Sequence, residues 1–140
     1  MSPVAEKTAQ VVPIAAEADL LRVRSALRAE AQEAGLNLTA VTKLVTAGSE
    51  LARNIFRYAT HGQGVARIER AEEDGRRGVR VTFEDSGPGI ADLDEAMRDG
   101  YSTAGSLGLG LPGSRRLVDE FSIDSQVGRG TTVMIMQWSR

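Results

Sequence analysis

The stretch Asp85-Ser86-Gly87-Pro88-Gly89, followed by the run Tyr101–Gly113 with the sequence YSTAGSLGLGLPG, decides how the rest of the chain is read. Asp85 ends the run Val79 to Glu84, which alternates apolar and polar residues as a half-buried strand does. Gly87 and Gly89 then turn the backbone sharply. Tyr101 to Gly108 is too rich in glycine and serine to be regular, and it leads into a helix expected from Leu111 to Glu120, with Pro112 tolerated in its first turn. Together these read as a nucleotide site in two halves. Adenine needs an acceptor for its exocyclic amine, and Asp85 offers one beside glycines that allow close backbone approach. Phosphates need backbone amides and a helix N-terminus, where the dipole favours negative charge. Gly105, Gly108 and Gly110, ahead of Leu111, supply that geometry, and Tyr101, Ser102, Leu109 and Gly113 belong to the same half.

Outward from this stretch, the chain supports an α+β reading. Its 140 residues suit one compact domain spanning 1–140. There are no cysteines, which removes disulfides, thiolate metal sites and a cysteine nucleophile and fits a reducing cytosol. With 17 basic and 19 acidic residues the formal charge is -2, so no basic excess points to nucleic acid. No apolar run approaches the ~20 residues of a membrane span, and the N-terminus lacks the pattern of a signal peptide. A soluble, cytoplasmic protein with no membrane or nucleic-acid partner is expected.

In chain order, residues 1–10 read as a disordered or edge-lying start, and Val11 to Ala15 as a short strand that Pro13 confines to a sheet edge. Leu20, Val23, Leu27 and Ala31 recur at helical spacing between Asp19 and Ala34, and Gly35 is a stop. Asn37 or Thr39 caps a second helix, which runs to about Tyr58 with Val41, Leu44, Val45, Gly48, Leu51, Ala52 and Ile55 on its apolar side. Gly62 and Gly64 end that element. Strands at Val65 to Ala71 and Val79 to Glu84 form a hairpin around the charged turn Glu72 to Gly78. Leu93 to Arg98 suggests a short helix. Phe121 to Val127 and Thr131 to Trp138 close the chain as a second hairpin around Gly128-Arg129-Gly130. The result is a two-layer sandwich, a mixed, mostly antiparallel sheet with helices on one face.

The second helix carries the remaining chemistry. Glu50 and Asn54 stand four apart, so both project from one face, shared with Ala47, Arg57 and Tyr58. Mg²⁺ needs hard oxygen ligands, and Asn54 offers an amide oxygen. Glu50 could orient a nucleophile or take its proton, and Arg57 could offset phosphate charge. Each motif alone has a plain reading as a turn, a loose loop or a solvated helix face. His61, beside a loop, reads as exposed and not as a ligand, and Trp138 as edge packing.

In combination these motifs resemble a known family. Glu50-Leu51-Ala52-Arg53-Asn54 is similar to the N-box of the GHKL ATPase/kinase superfamily. Asp85–Gly89 resembles its G1 box, Gly108–Gly113 its G2 box, and Gly128-Arg129-Gly130-Thr131-Thr132 its final Gly-x-Gly-Thr segment. The match spans about Leu36 to Trp138. SELARNIFRYA, FEDSGPGI and YSTAGSLGLGLPGSRRLVDEFSI most resemble the RsbT-type switch serine/threonine kinases of the anti-sigma and stressosome group. The resemblance implies a Bergerat-type fold, Mg²⁺-ATP, and phosphorylation of a serine or threonine on a STAS-domain antagonist or scaffold protein. It further implies a PPM-type phosphatase as output, or, for RsbW-type relatives, a sequestered sigma factor. A nucleotide-gated binding module without phosphotransfer stays open beside these. By position, Asn54 would hold Mg²⁺, Glu50 would be the general base and Asp85 would read adenine with Thr131 near it. Gly87 and Gly89 would admit the nucleotide, Gly108, Gly110 and Gly113 would hold phosphates, and Ile90 to Leu107 would form a lid. The chain has no helix pair bearing a phospho-accepting histidine, so two-component autokinase activity is not expected.

Overall fold

In a computed structural model, the protein is described over residues 5–58, 64–85, 110–126 and 130–139. Strand β1 (Ala5–Ile14) is followed by helices α1 (Glu17–Glu33) and α2 (Leu38–Tyr58). Then come strands β2 (Gly64–Glu73) and β3 (Arg76–Asp85), helix α3 (Gly110–Leu117), and strands β4 (Glu120–Gln126) and β5 (Gly130–Trp138). The strands form one five-stranded sheet in the order β1-β2-β3-β5-β4. The expected α+β sandwich is present. Among the described residues, however, every strand pairing is antiparallel, so the sheet is not mixed.

The helices cover one face of this sheet. Val79, Val81 and Phe83 of β3 alternate inward, as do Val133 and Ile135 of β5, Ala66 and Ile68 of β2, and Val12 and Ile14 of β1. They meet Val23, Leu27 and Ala31 of α1 and Val41, Leu44, Val45, Leu51, Ala52 and Ile55 of α2 in one buried core. The two helices approach closely at Gly48, where a Cβ would overlap Leu27 Cδ1. Ala47 is also fully buried, so it belongs to the core side of α2 and not to the face of Glu50 and Asn54.

Local signals explain the element ends. Helix α1 begins two residues before Asp19, because Asp19 is its third residue and reaches back to accept from the Ala15 and Ala16 amides, each at 2.9 Å. Those two amide hydrogen bonds, helped by Arg22 at 2.7 Å, hold the Asp19 carboxyl below its ordinary range. At the other end Gly35 adopts φ 86°, and the Leu36 amide donates to Ala31 O while the Gly35 amide donates to Gln32 O. That is a Schellman stop, with Leu36 and Ala31 both buried beneath it. Asn37, not Thr39, caps α2, its Oδ1 accepting from the Ala40 amide at 2.8 Å.

The first hairpin is tighter than its composition indicates. Its turn is only Asp74-Gly75, with φ 52° and 79°, the double left-handed geometry that suits a two-residue connection. Strands β2 and β3 therefore run on through Glu72↔Arg77 and Glu73↔Arg76. Strand β1 likewise extends back to Ala5, at the sheet edge that Pro13 permits. It is tied to α1 by the buried Glu30, which accepts from Gln10 Nε2 at 3.2 Å and from Arg70 Nε at 2.8 Å.

Helix α3 is shorter than expected and stops at Leu117. The Asp119 amide donates to Met136 O, and its carboxylate accepts from the Trp138 amide at 2.8 Å. Gln137, buried, donates from Nε2 to Leu117 O and accepts from the Asp119 amide. These bonds turn the chain into β4 one residue before Phe121. Trp138 itself is buried, with Nε1 donating to Glu120 and Arg76 lying 4.3 Å over its ring.

Candidate functional site

The antiparallel register brings five residues into one row across the end of the sheet. Ile14 pairs with Gly64, Gly64 with Asp85, Asp85 with Thr131, and Thr131 with Ser125. Asp85 lies two residues beyond Phe83, so by the strand alternation it faces the helix layer. Thr131, two residues before Val133, shares that face. Gly64 is glycine for a packing reason, because a Cβ there would overlap Ile55 Cγ2 of α2. Ile55 directly follows Asn54. The C-terminal half of α2 therefore crosses the sheet at the same row that holds Asp85 and Thr131.

Thr131 is further oriented by a residue that sequence reading did not single out. Ser125 Oγ lies 2.7 Å from Thr131 Oγ1 and 3.3 Å from Gly130 O. If Ser125 donates to that carbonyl, the Thr131 hydroxyl donates to Ser125 and keeps its own lone pairs outward. The signal for Ser125 was the alternation Phe121, Ile123, Ser125 along β4, which assigns it to the inner face.

On α2, Glu50 and Asn54 are half-buried and Arg57 is exposed. Among the described residues none of the three has a salt bridge or a side-chain hydrogen bond. Their donor set is a carboxylate and an amide oxygen one turn apart, hard oxygens of the kind Mg²⁺ accepts. Among the described residues no group of three or more His, Cys, Asp or Glu could hold a metal.

Helix α3 packs against α2 and contributes Leu111 to the rim of the core. It begins at Gly110 and buries Pro112, Gly113 and Ser114. Its C-terminal end is held beside Met136 and Gln137, which leaves Gly110 at the other end, about 12 Å away along the axis. Of the expected site residues, Glu50, Asn54, Arg57, Asp85, Gly110, Leu111, Gly113 and Thr131 are thus in view. Gly87, Gly89, Tyr101, Ser102, Gly105, Gly108 and Leu109 lie outside the described residues, as do the expected lid, the short helix at 93–98 and His61.

Comparison with known proteins gives a consistent result. The histidine kinase-like ATPase domain family matches residues 14–138. The serine/threonine-protein kinase RsbT of Bacillus subtilis (strain 168) is 44% identical over 129 residues, covering 92% of this chain and 96% of that protein. The anti-sigma F factor of Geobacillus thermodenitrificans (strain NG80-2) is 34% identical over 100 residues, covering 68% of this chain and 67% of that protein. Among solved structures, the RsbU and RsbW domains of Rv1364c from Mycobacterium tuberculosis superpose with a TM-score of 0.64 at 25% identity, over 99% of this chain and 33% of that one. The chain thus spans about a third of that solved protein.

Proposed function

The chain belongs to the histidine kinase-like ATPase domain family, in the group of the serine/threonine-protein kinase RsbT, and we propose that it transfers the γ-phosphoryl of ATP to a serine or threonine of a small STAS-domain protein. Protein serine/threonine kinase activity and ATP binding come with that membership. The observation that carries the fuller reading is the row Gly64–Asp85–Thr131 with Ile55 pressed onto Gly64. It joins an acceptor at a strand end to the oxygen donors of α2.

In this reading Asp85 accepts from the exocyclic amine of adenine, with Thr131 beside it, and Gly87 and Gly89 let the base approach. The N-terminus of α3, with Gly105, Gly108, Gly110 and Gly113, receives the phosphates. Tyr101, Ser102, Leu109 and Leu111 line that end. Asn54 would hold Mg²⁺ by its amide oxygen, and the ion would supply charge neutralisation at the phosphate oxygens. Arg57 adds a second positive charge. The acceptor oxygen bonds to the γ-phosphorus as the bond to the bridging oxygen breaks, ADP leaves, and the hydroxyl proton passes to Glu50. The added phosphate brings a charge of about -1.5 to -2 to the STAS partner and weakens its hold on the kinase. Released kinase then engages a PPM-type phosphatase.

The test is label transfer from γ-labelled ATP to a panel of purified STAS-domain proteins. Glu50→Ala should lower the transfer rate by about 10²-fold or more. Asn54→Ala should raise the Mg²⁺ concentration that transfer requires, or abolish transfer. Transfer that survives both changes intact would remove these roles. Nucleotide binding with no transfer to any STAS protein would leave a gated binding module instead. A second reading, in which the chain holds a sigma factor, draws on the anti-sigma F factor relatives. Recovery of a sigma factor and no phosphatase in a pull-down would favour it.

A further inference from the structure

Helix α2 turns one charged stripe outward. Lys43, Glu50, Arg53 and Arg57 recur at intervals of seven, three and four residues, which on a helix follow a single line. Lys43, Arg53 and Arg57 are exposed. Among the described residues none of them holds a salt bridge or a side-chain hydrogen bond, although Arg53 is within one turn of Glu50. The arginines of the sheet behave otherwise. Arg67, Arg70, Arg77 and Arg80 each pair with a glutamate, and Arg76 covers Trp138. A chain of formal charge -2 therefore gathers three unpaired cations around a single carboxylate on one helix.

Helix stability does not account for them. Only Arg57 lies in the last turn, where a cation offsets the helix dipole. Lys43 stands in the N-terminal half, where the dipole gives a cation nothing, and Arg53 precedes the last turn. From Lys43 to Arg53 the stripe runs about 15 Å, the reach of about five residues of extended chain.

The geometry points to α2 as a docking strip, on which Lys43 and Arg53 select a protein substrate whose acceptor serine or threonine is flanked by acidic residues. This rests on the reading of Glu50 as the proton acceptor, since the strip runs through it. An acidic flank on either side of the acceptor finds a cation waiting at each end. A basic flank meets like charge, and the difference shrinks with salt as the screening length falls.

The experiment uses the full chain with a non-hydrolysable ATP analogue and three fluorescent serine peptides, with acidic, neutral and basic flanks, read by anisotropy at low and high salt. The acidic peptide should bind roughly tenfold tighter than the basic one at low salt. Lys43→Gln with Arg53→Gln should erase the preference, and K43E with R53E should invert it. Affinity for the ATP analogue should stay within about twofold throughout. Peptides that bind alike, or not at all, overturn the proposal. So does a preference that survives charge reversal, or nucleotide affinity that falls in step, for then the cations serve ATP. A chain that keeps the peptide preference yet transfers no phosphoryl sinks the kinase role of Glu50 and leaves the strip standing.

Discussion

Asp19 shows how one side chain can set both a helix start and a pH response. Its carboxylate collects the amides of Ala15 and Ala16 and the guanidinium of Arg22, so its folded pKa is lowered from 3.8. A group shifted down contributes stability above its unfolded pKa and loses it as pH falls through the folded one. Acid unfolding of the protein should therefore contain a component that fades from about pH 4 downward, and Asp19→Asn should lack it. Melting temperatures taken across that range for both proteins check this. A residue of this kind is half legible in sequence. An acid near a helix start is a familiar signal, but its spacing reads as the start itself. Only the two amides upstream reveal it as the third residue of the helix.

At the scale of elements, α2 depends on its lack of a side chain at Gly48. Leu27 is fully buried, so it cannot swing aside for a methyl group there. Gly48→Ala should lower stability by about 1–3 kcal/mol, seen as an earlier urea midpoint with an unchanged slope. The apolar stripe of α2, the Gly35 stop and the central strands were all readable, because each rests on local periodicity or a local cap. The ends of the first hairpin were not. Beyond Ala71 both strands carry charge on both faces, at Glu72, Glu73, Arg76 and Arg77, so alternation vanishes where pairing continues. The Asp74-Gly75 dipeptide held the answer in its turn chemistry. The end of α3 rests on Met136, Gln137 and Trp138, a tertiary cause that no local pattern records.

Across the whole molecule, the candidate site is an outcome of register. The motifs were legible one by one, yet nothing local says that Asp85 pairs with Thr131, or that Ile55, the residue after Asn54, packs on Gly64 opposite Asp85. Because the site spans α2 and two strands, a nucleotide bound there should stabilise the fold as a unit. ATP at about a hundred times its Kd should add about 2.7 kcal/mol, a rise on the order of 10 °C in Tm. Asp85→Asn should remove most of that rise. Thermal shift measurements with and without ATP and Mg²⁺ decide it. The strand order adds a final point. Among the described residues β3 is the middle strand, bonded along its length to β2 and β5, whereas β1 and β4 each have one open side. In deuterated water the amides of β3 should be the last to exchange and those of the two border strands the first. The group proposed to read the base is then mounted on the slowest-opening part of the protein, so its aim would persist through fluctuations that fray both margins.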